Sequence, residues 1–180
     1  MQQLLTPAGI ELHSLKDFGL DNAEETAASF VENALIKCRA ATTTTALPAI
    51  ADDSGLVVPA LNGEPGVYSA RYASEHAQDA DNNKKLLAQM AQCDDRRAFF
   101  FCCMTFMRSA ADPTPIIAFG RWHGEILRQP KGEMGFGYDP LFYVPEHNAT
   151  AAELPPNIKN QLSHRGIACR ALLSHLQELA

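Results

Sequence analysis

The sequence predicts an α/β domain built on a mixed sheet, and three observations carry that prediction. Phe30, Val31, Ala34, Leu35 and Cys38 recur at helical spacing behind Ser29, which forms a capping box with Glu32 three positions later. The run Arg97 to Met107 is too continuously apolar for a half-exposed strand and reads as the central strand. Helical and strand patterns are interspersed along the whole chain, as α/β architecture requires.

Taken in order, the first helix starts near Ser29, and Thr42 to Thr45 leads out of it toward a strand. The apolar run Pro48-Ala49-Ile50-Ala51 ends at Asp52-Asp53-Ser54-Gly55 before Leu56-Val57-Val58, so the acidic pair is expected in a turn at a strand end. Leu86, Leu87 and Met90 belong to a second, short helix, and the long apolar strand follows. Asp112-Pro113 marks a turn. Ile116 to Phe119, Trp122 to Ile126 and Leu141 to Val144 then read as strands. Ile167, Ala168, Ala171, Leu172, Leu176 and Leu179 give a C-terminal helix, with Ser163 as its expected cap.

No internal repeat, linker or composition shift divides the 180 residues, so a single domain spanning 1–180 is expected. No apolar run approaches the roughly 20 residues that span a bilayer, and the opening Met1-Gln2-Gln3-Leu4-Leu5 has no basic leader pattern, which points to the cytoplasm and to no membrane partner. Five cysteines, with Cys102 and Cys103 adjacent, make neither a disulfide framework nor a zinc spacing and are expected to be buried thiols. A formal charge of −6 without any basic block argues against binding to nucleic acid polymers. An anionic ligand must therefore be held by local cations or a metal.

Three clusters could carry chemistry. Glu24, Glu25 and Glu32 gather around the first helix start while Asp52 and Asp53 lie at a strand end, so two elements could present carboxylates to one Mg²⁺, a cation that takes oxygen ligands. Glu32 also has a structural explanation in the capping box, and Glu24 and Glu25 in the helix dipole. Gly135-Phe136-Gly137-Tyr138-Asp139-Pro140 sets an aromatic between glycines, which suits stacking on a flat ligand, with Asp139 free to accept from ring N–H groups; a turn whose rings plug the core is the alternative. Lys159 with Ser163-His164-Arg165 supplies donors for a carbonyl-rich base or a phosphate, or else a solvated face with a helix cap. No nucleophile elbow, Walker loop or zinc-protease motif is present.

Five blocks occur in the order found in the inosine triphosphate pyrophosphatase family: Ser29-Phe30-Val31-Glu32-Asn33-Ala34, Ala51-Asp52-Asp53-Ser54-Gly55-Leu56, Pro65-Gly66-Val67-Tyr68-Ser69-Ala70-Arg71-Tyr72, Gly135 to Pro140, and Ser163-His164-Arg165-Gly166. The chain resembles that family over most of its length. The resemblance implies a mixed-sheet, two-lobed α/β fold with the active cleft between lobes, a homodimer, and Mg²⁺-dependent hydrolysis of dITP, ITP and XTP to the monophosphate and pyrophosphate. It implies Asp53 as general base and metal ligand, Glu25 as the companion ligand (with Glu24 adjacent), and Ser54 as a substrate contact. It further implies Phe136 stacked on the purine, Gly137, Tyr138 and Asp139 completing that loop, and Lys159, His164 and Arg165 addressing the base at its 6-oxo group. Arg71 is open between a phosphate contact and a subunit contact.

Members of that family begin with a strand and a Thr/Ser-Gly-Asn-x-x-Lys loop that holds the triphosphate. This sequence has no such motif and opens on what resembles the family's first helix, so it is expected to be N-terminally truncated relative to the family. A non-catalytic nucleotide-binding or dimerisation module is the alternative function that this leaves open.

Overall fold

The computed structural model describes residues 10–178, so the expected helix over Met1 to Leu5 lies outside the described residues. The chain has the expected α/β character. Helix α1 (Phe30–Thr45) precedes strand β1 (Ala49–Val57); α2 (Asp79–Gln89), β2 (Arg97–Met107) and β3 (Ile116–Ile126) follow, then the short strands β4 (Phe142–Val144) and β5 (Ala149–Thr150), and finally α3 (Pro156–Leu162) and α4 (His164–Gln177). The strands form one five-stranded sheet in the order β1-β2-β3-β4-β5. β2 is therefore interior, and β3 holds the middle position. Glu125 pairs with Tyr143 and Tyr143 with Thr150, both antiparallel. The Thr105 hydroxyl lies 3.4 Å from the Ala51 carbonyl and the Cys102 thiol 4.0 Å from Asp52, so β2 also runs opposite to β1. Where the sequence led us to expect a mixed sheet, these pairs are antiparallel.

The chain divides into two compact units: Met1–Ser54, Cys102–Gly120 and His164–Ala180 make the first, Gly55–Phe101 and Arg121–Ser163 the second. Each has its own core. In the first, Cys102, Met104 and Ala118 of the sheet pack on Ala168, Cys169 and Leu172 of α4. In the second, Leu56, Phe100, Trp122 and Phe142 pack together, with the Phe142 ring centroid 4.6 Å from Phe100 and 5.1 Å from Trp122. Aromatic contacts of this kind add to the free energy of area burial.

α1 begins as its capping box requires, with the Ser29 hydroxyl accepting from the Glu32 N–H and donating to the Glu32 carboxylate. Thr42 to Thr45 are not an exit from the helix but its last turn. Thr43 and Thr45 return their hydroxyls to carbonyls four residues back, which lets β-branched residues close a helix.

Three elements differ from the sequence expectation. Asp52 to Gly55 are not a turn: β1 runs unbroken through them, because each acidic side chain has a partner on its own face of the strand. The two strands expected around Gly120 are one, because a Cβ at Gly120 would sit 1.9 Å from the His164 carbonyl oxygen; the glycine allows a close approach and marks no break. Lys159 lies within a short helix, α3, that the sequence did not suggest, and Ser163 ends α3 immediately before α4 begins at His164.

Candidate active site

Side chains alternate across a strand, so neighbouring Asp52 and Asp53 point to opposite faces of β1. Asp53 faces α1 and is buried, with 5% exposure. Asn33 donates from its amide to Asp53 Oδ2 at 3.3 Å, and Lys37 donates from Nζ to Asp53 Oδ1 at 3.0 Å. The same ammonium donates to Glu25 Oε1 at 2.8 Å. Two carboxylates from distant segments thus meet at one cation. Burial pushes the Asp53 carboxyl above its ordinary value, Lys37 opposes that, and the Glu25 charge adds to it. Burial alone would lower Lys37, but its hydrogen bonds to Glu25 and Asp53 hold it above the ordinary ammonium value. Glu24 stays exposed while Glu25 is half-buried against Lys37, which separates the two adjacent acids.

On the opposite face, Asp52 Oδ2 accepts from Arg165 Nε at 3.1 Å and from the Ser54 hydroxyl at 2.9 Å. Burial would raise Asp52, but the Arg165 charge and these hydrogen bonds bring it below the usual carboxylate range. Ser54 and Arg165, both expected to meet substrate, therefore meet each other's partner. His164 is buried at the start of α4. Burial, then the charge of Asp52, pushes the Cys102 thiol up to about 12; burial, then Asp53 and Asp52, pushes Cys103 up to about 11. Neither offers a thiolate for chemistry.

The glycine-flanked loop belongs to the second unit. Gly135 and Gly137 take positive φ of 88° and 60°, and between them the Phe136 ring is 64% exposed. The Phe136 N–H donates to Asp139 Oδ2 at 2.8 Å, and Lys159 donates to the same oxygen while lying 5.2 Å from the Phe136 ring centroid. Gly135 is obligatory by space as well as by φ, since a Cβ there would meet Asp139 Oδ2 at 2.2 Å and Lys159 Nζ at 2.9 Å. Asp139, expected to accept from a ligand, uses this oxygen to hold the loop. Tyr138 is 4% exposed and its hydroxyl donates to the Ser69 carbonyl at 2.9 Å, so its ring faces the core while Phe136 faces outward. Arg71 lies 5.3 Å over the Tyr68 ring.

The expected residues thus assemble as two groups: Glu25, Asp53, Ser54, His164 and Arg165 in the first unit, and Phe136, Gly137, Tyr138, Asp139 and Lys159 in the second. Asn33 and Lys37 were missed. Their spacing of four residues puts both on one face of α1, but which face turns to β1 is a tertiary fact that spacing alone does not carry. Among the described residues no set of three metal-ligating side chains converges. Glu25 and Asp53 each direct one carboxylate oxygen to Lys37 Nζ, and carboxylate oxygens are the ligand type that Mg²⁺ takes beside waters and substrate phosphates.

Comparison with known proteins identifies the family. The Ham1 family profile matches residues 1–175. A dITP/XTP pyrophosphatase of Vibrio cholerae serotype O1 is 52% identical over 180 residues, covering 99% of this chain and 90% of that protein. A HAM1 protein structure from Coxiella burnetii superposes with a TM-score of 0.94 at 49% identity, covering 98% of this chain and 91% of that one. The Staphylococcus aureus Ham1 protein gives a TM-score of 0.91 at 39% identity, covering 99% and 92%. With that likeness running through the blocks that bear the paired carboxylates and the exposed Phe136, the chain belongs to the Ham1 family.

Proposed function

We propose that the protein hydrolyses non-standard purine nucleoside triphosphates, dITP, ITP and XTP, to the monophosphate and pyrophosphate. One observation carries the reading: Glu25 and Asp53 meet at a single positive charge. The dITP/XTP pyrophosphatase of Vibrio cholerae, half identical to this chain, supports the substrate class.

In this reading Asp53 is the general base, taking the proton of the attacking water as it adds to the α-phosphorus. Its raised carboxyl is matched to that task, since burial makes the ionised form a stronger base. Glu25 and Asp53 would hold Mg²⁺, which when bound supplies charge neutralisation at the phosphates. Lys37 pairs with both carboxylates and opposes the burial that raises Asp53. Ser54 and Arg165 orient Asp52 and complete the polar face beside the base.

Phe136 offers the purine a stacking face, and Lys159 beside it brings an ammonium with three donors, of which Asp139 takes one. A 6-oxo purine accepts where adenine donates, so donors at that edge leave an unmatched buried group when ATP binds; mismatches of this sort reach selectivities of order 10⁴. His164 and Arg165 are the further donors in this scheme. Tyr138, Gly137 and Asp139 act by shaping the loop. We place the enzyme in the cytoplasm as a homodimer drawing on the nucleotide pool; among the described residues no helix is long and apolar enough to cross a membrane.

The test is pyrophosphate release from dITP, ITP, XTP, dGTP and dATP with Mg²⁺. Release is expected from the first three, and Asp53→Asn is expected to lower kcat by about 10²- to 10⁴-fold with an unchanged melting temperature. No release from any 6-oxo substrate by the unsubstituted chain would overturn the proposal, and melting-point elevation by ITP without turnover would favour the non-catalytic binding module.

A further inference from the structure

The Phe136 ring is 64% exposed, with Lys159 Nζ 5.2 Å from its centroid, and its direction depends on its backbone as well as on that contact. That backbone is gripped at the next residue. Asp79, the first residue of α2, accepts the Gly137 N–H on Oδ2 at 2.6 Å, and Asn83, one turn later, donates from Nδ2 to the Gly137 carbonyl at 2.9 Å. Residues four apart share a helix face, so one face of α2 satisfies both polar groups of a single glycine. Gly137 needs this support, since its φ of 60° is a left-handed conformation held in a loop without regular hydrogen bonding.

The helix that supplies the grip is itself anchored. Between Asp79 and Asn83 in sequence, the buried Asn82 accepts from the Ala73 N–H at 2.8 Å and donates to the Ala70 carbonyl at 3.0 Å; Lys85 donates to the Tyr72 carbonyl at 2.6 Å. The turn Gly66–Arg71, against which α2 is tied, also receives the Tyr138 hydroxyl through the Ser69 carbonyl. Loop, turn and helix make a closed hydrogen-bonded circuit in the second unit, and that circuit presents the Phe136 ring outward.

We infer that Asp79 and Asn83 are positioning residues that set the affinity for the purine ring by holding Phe136 in its stacking orientation through Gly137. Neither touches the reacting groups, so the clamp acts on binding and leaves the chemical step alone. The inference rests on the purine-stacking reading proposed above.

The experiment compares KM and kcat for dITP, and calorimetric binding of IMP, in Asp79→Ala, Asn83→Ala, Asp79→Asn, Asn83→Asp, Phe136→Ala and the Asp79→Ala/Phe136→Ala pair. Either alanine variant is expected to raise KM and weaken IMP binding about tenfold with kcat held within about twofold, the size of effect that losing one charge-assisted or buried hydrogen bond produces. Asp79→Asn keeps an acceptor for the Gly137 N–H and is expected to restore most of the affinity. Asn83→Asp removes the donor and sets a carboxylate against a carbonyl, and is expected to be no better than alanine. Because the clamp works through the ring, the double variant should be no worse than Phe136→Ala alone. Unchanged KM in the alanine variants, additivity in the double variant, or equal losses in kcat and KM would overturn the inference. If the unsubstituted chain neither hydrolyses dITP nor binds IMP, the purine reading falls and the inference falls with it. If it does both while the clamp variants match it, only the inference falls.

Discussion

Lys37 shows how much chemistry a single side chain sets. It bridges Glu25 and Asp53, two carboxylates whose mutual repulsion would otherwise favour a protonated Asp53. The direction of each influence is fixed: burial and Glu25 raise Asp53, Lys37 lowers it. Replacing Lys37 by Met removes the largest lowering influence, leaving only the Asn33 hydrogen bond against the raising ones, so Asp53 stays protonated to higher pH. A general base works only when deprotonated, and the acidic limb of the kcat/KM–pH profile reports it. Lys37→Met is therefore expected to move that limb to higher pH, whereas Arg165→Met, which relieves Asp52 on the other face, is expected to move it far less. A limb that stays in place in Lys37→Met would show that Asp53 is not the titrating base. The sequence displayed the acids because acids in an apolar strand are conspicuous. It did not display Lys37, whose meaning depends on which face of α1 turns to β1, a tertiary fact.

Among elements, local propensity was a sound guide where hydrophobic pattern and capping agreed, as at α1 and β2. It failed where a residue's role is set by a distant contact. Asp-Asp-Ser-Gly has turn chemistry, yet ion pairs to Lys37 and Arg165 let β1 run through it. Gly120 reads as a break, yet it sits mid-strand because the first turn of α4 packs directly on it. α3 went unseen because its seven residues make barely two turns and its apolar face is only Ile158 and Leu162, too short a pattern to register as a helix. The Gly120 contact gives a test. A methyl at Gly120 would fall 1.9 Å from the His164 carbonyl and 2.7 Å from the Ala168 nitrogen, both backbone atoms that cannot yield without shifting α4. Gly120→Ala is expected to cost about 1–3 kcal/mol, lowering the melting temperature by several degrees. Because the shift starts at His164 and Arg165, turnover should fall by more than the lost folded fraction. An unchanged melting temperature would show that β3 and α4 are not packed this closely.

For the whole molecule, the chain passes between the two units at Ser54/Gly55, Phe101/Cys102 and Gly120/Arg121, each inside a strand, and at Ser163/His164 between α3 and α4, so no linker composition marks the division and none was visible in the sequence. Net charge, by contrast, is legible at once and has a kinetic consequence. The chain carries −6, and a nucleoside triphosphate is anionic even as its Mg²⁺ complex, so their long-range interaction is repulsive. Lys37 and Arg165 in the first unit and Lys159 in the second are each paired with an aspartate, and such pairs project little field beyond a Debye length of roughly 10 Å at 0.1 M salt. Electrostatically steered enzymes lose kcat/KM steeply as salt is added. Here screening removes a repulsion, so kcat/KM for dITP at fixed free Mg²⁺ is expected to hold steady or rise, by no more than about threefold, between about 50 and 300 mM KCl. A steep fall over that range would mean that unpaired positive charge near the substrate, and not the molecule's overall acidity, governs encounter.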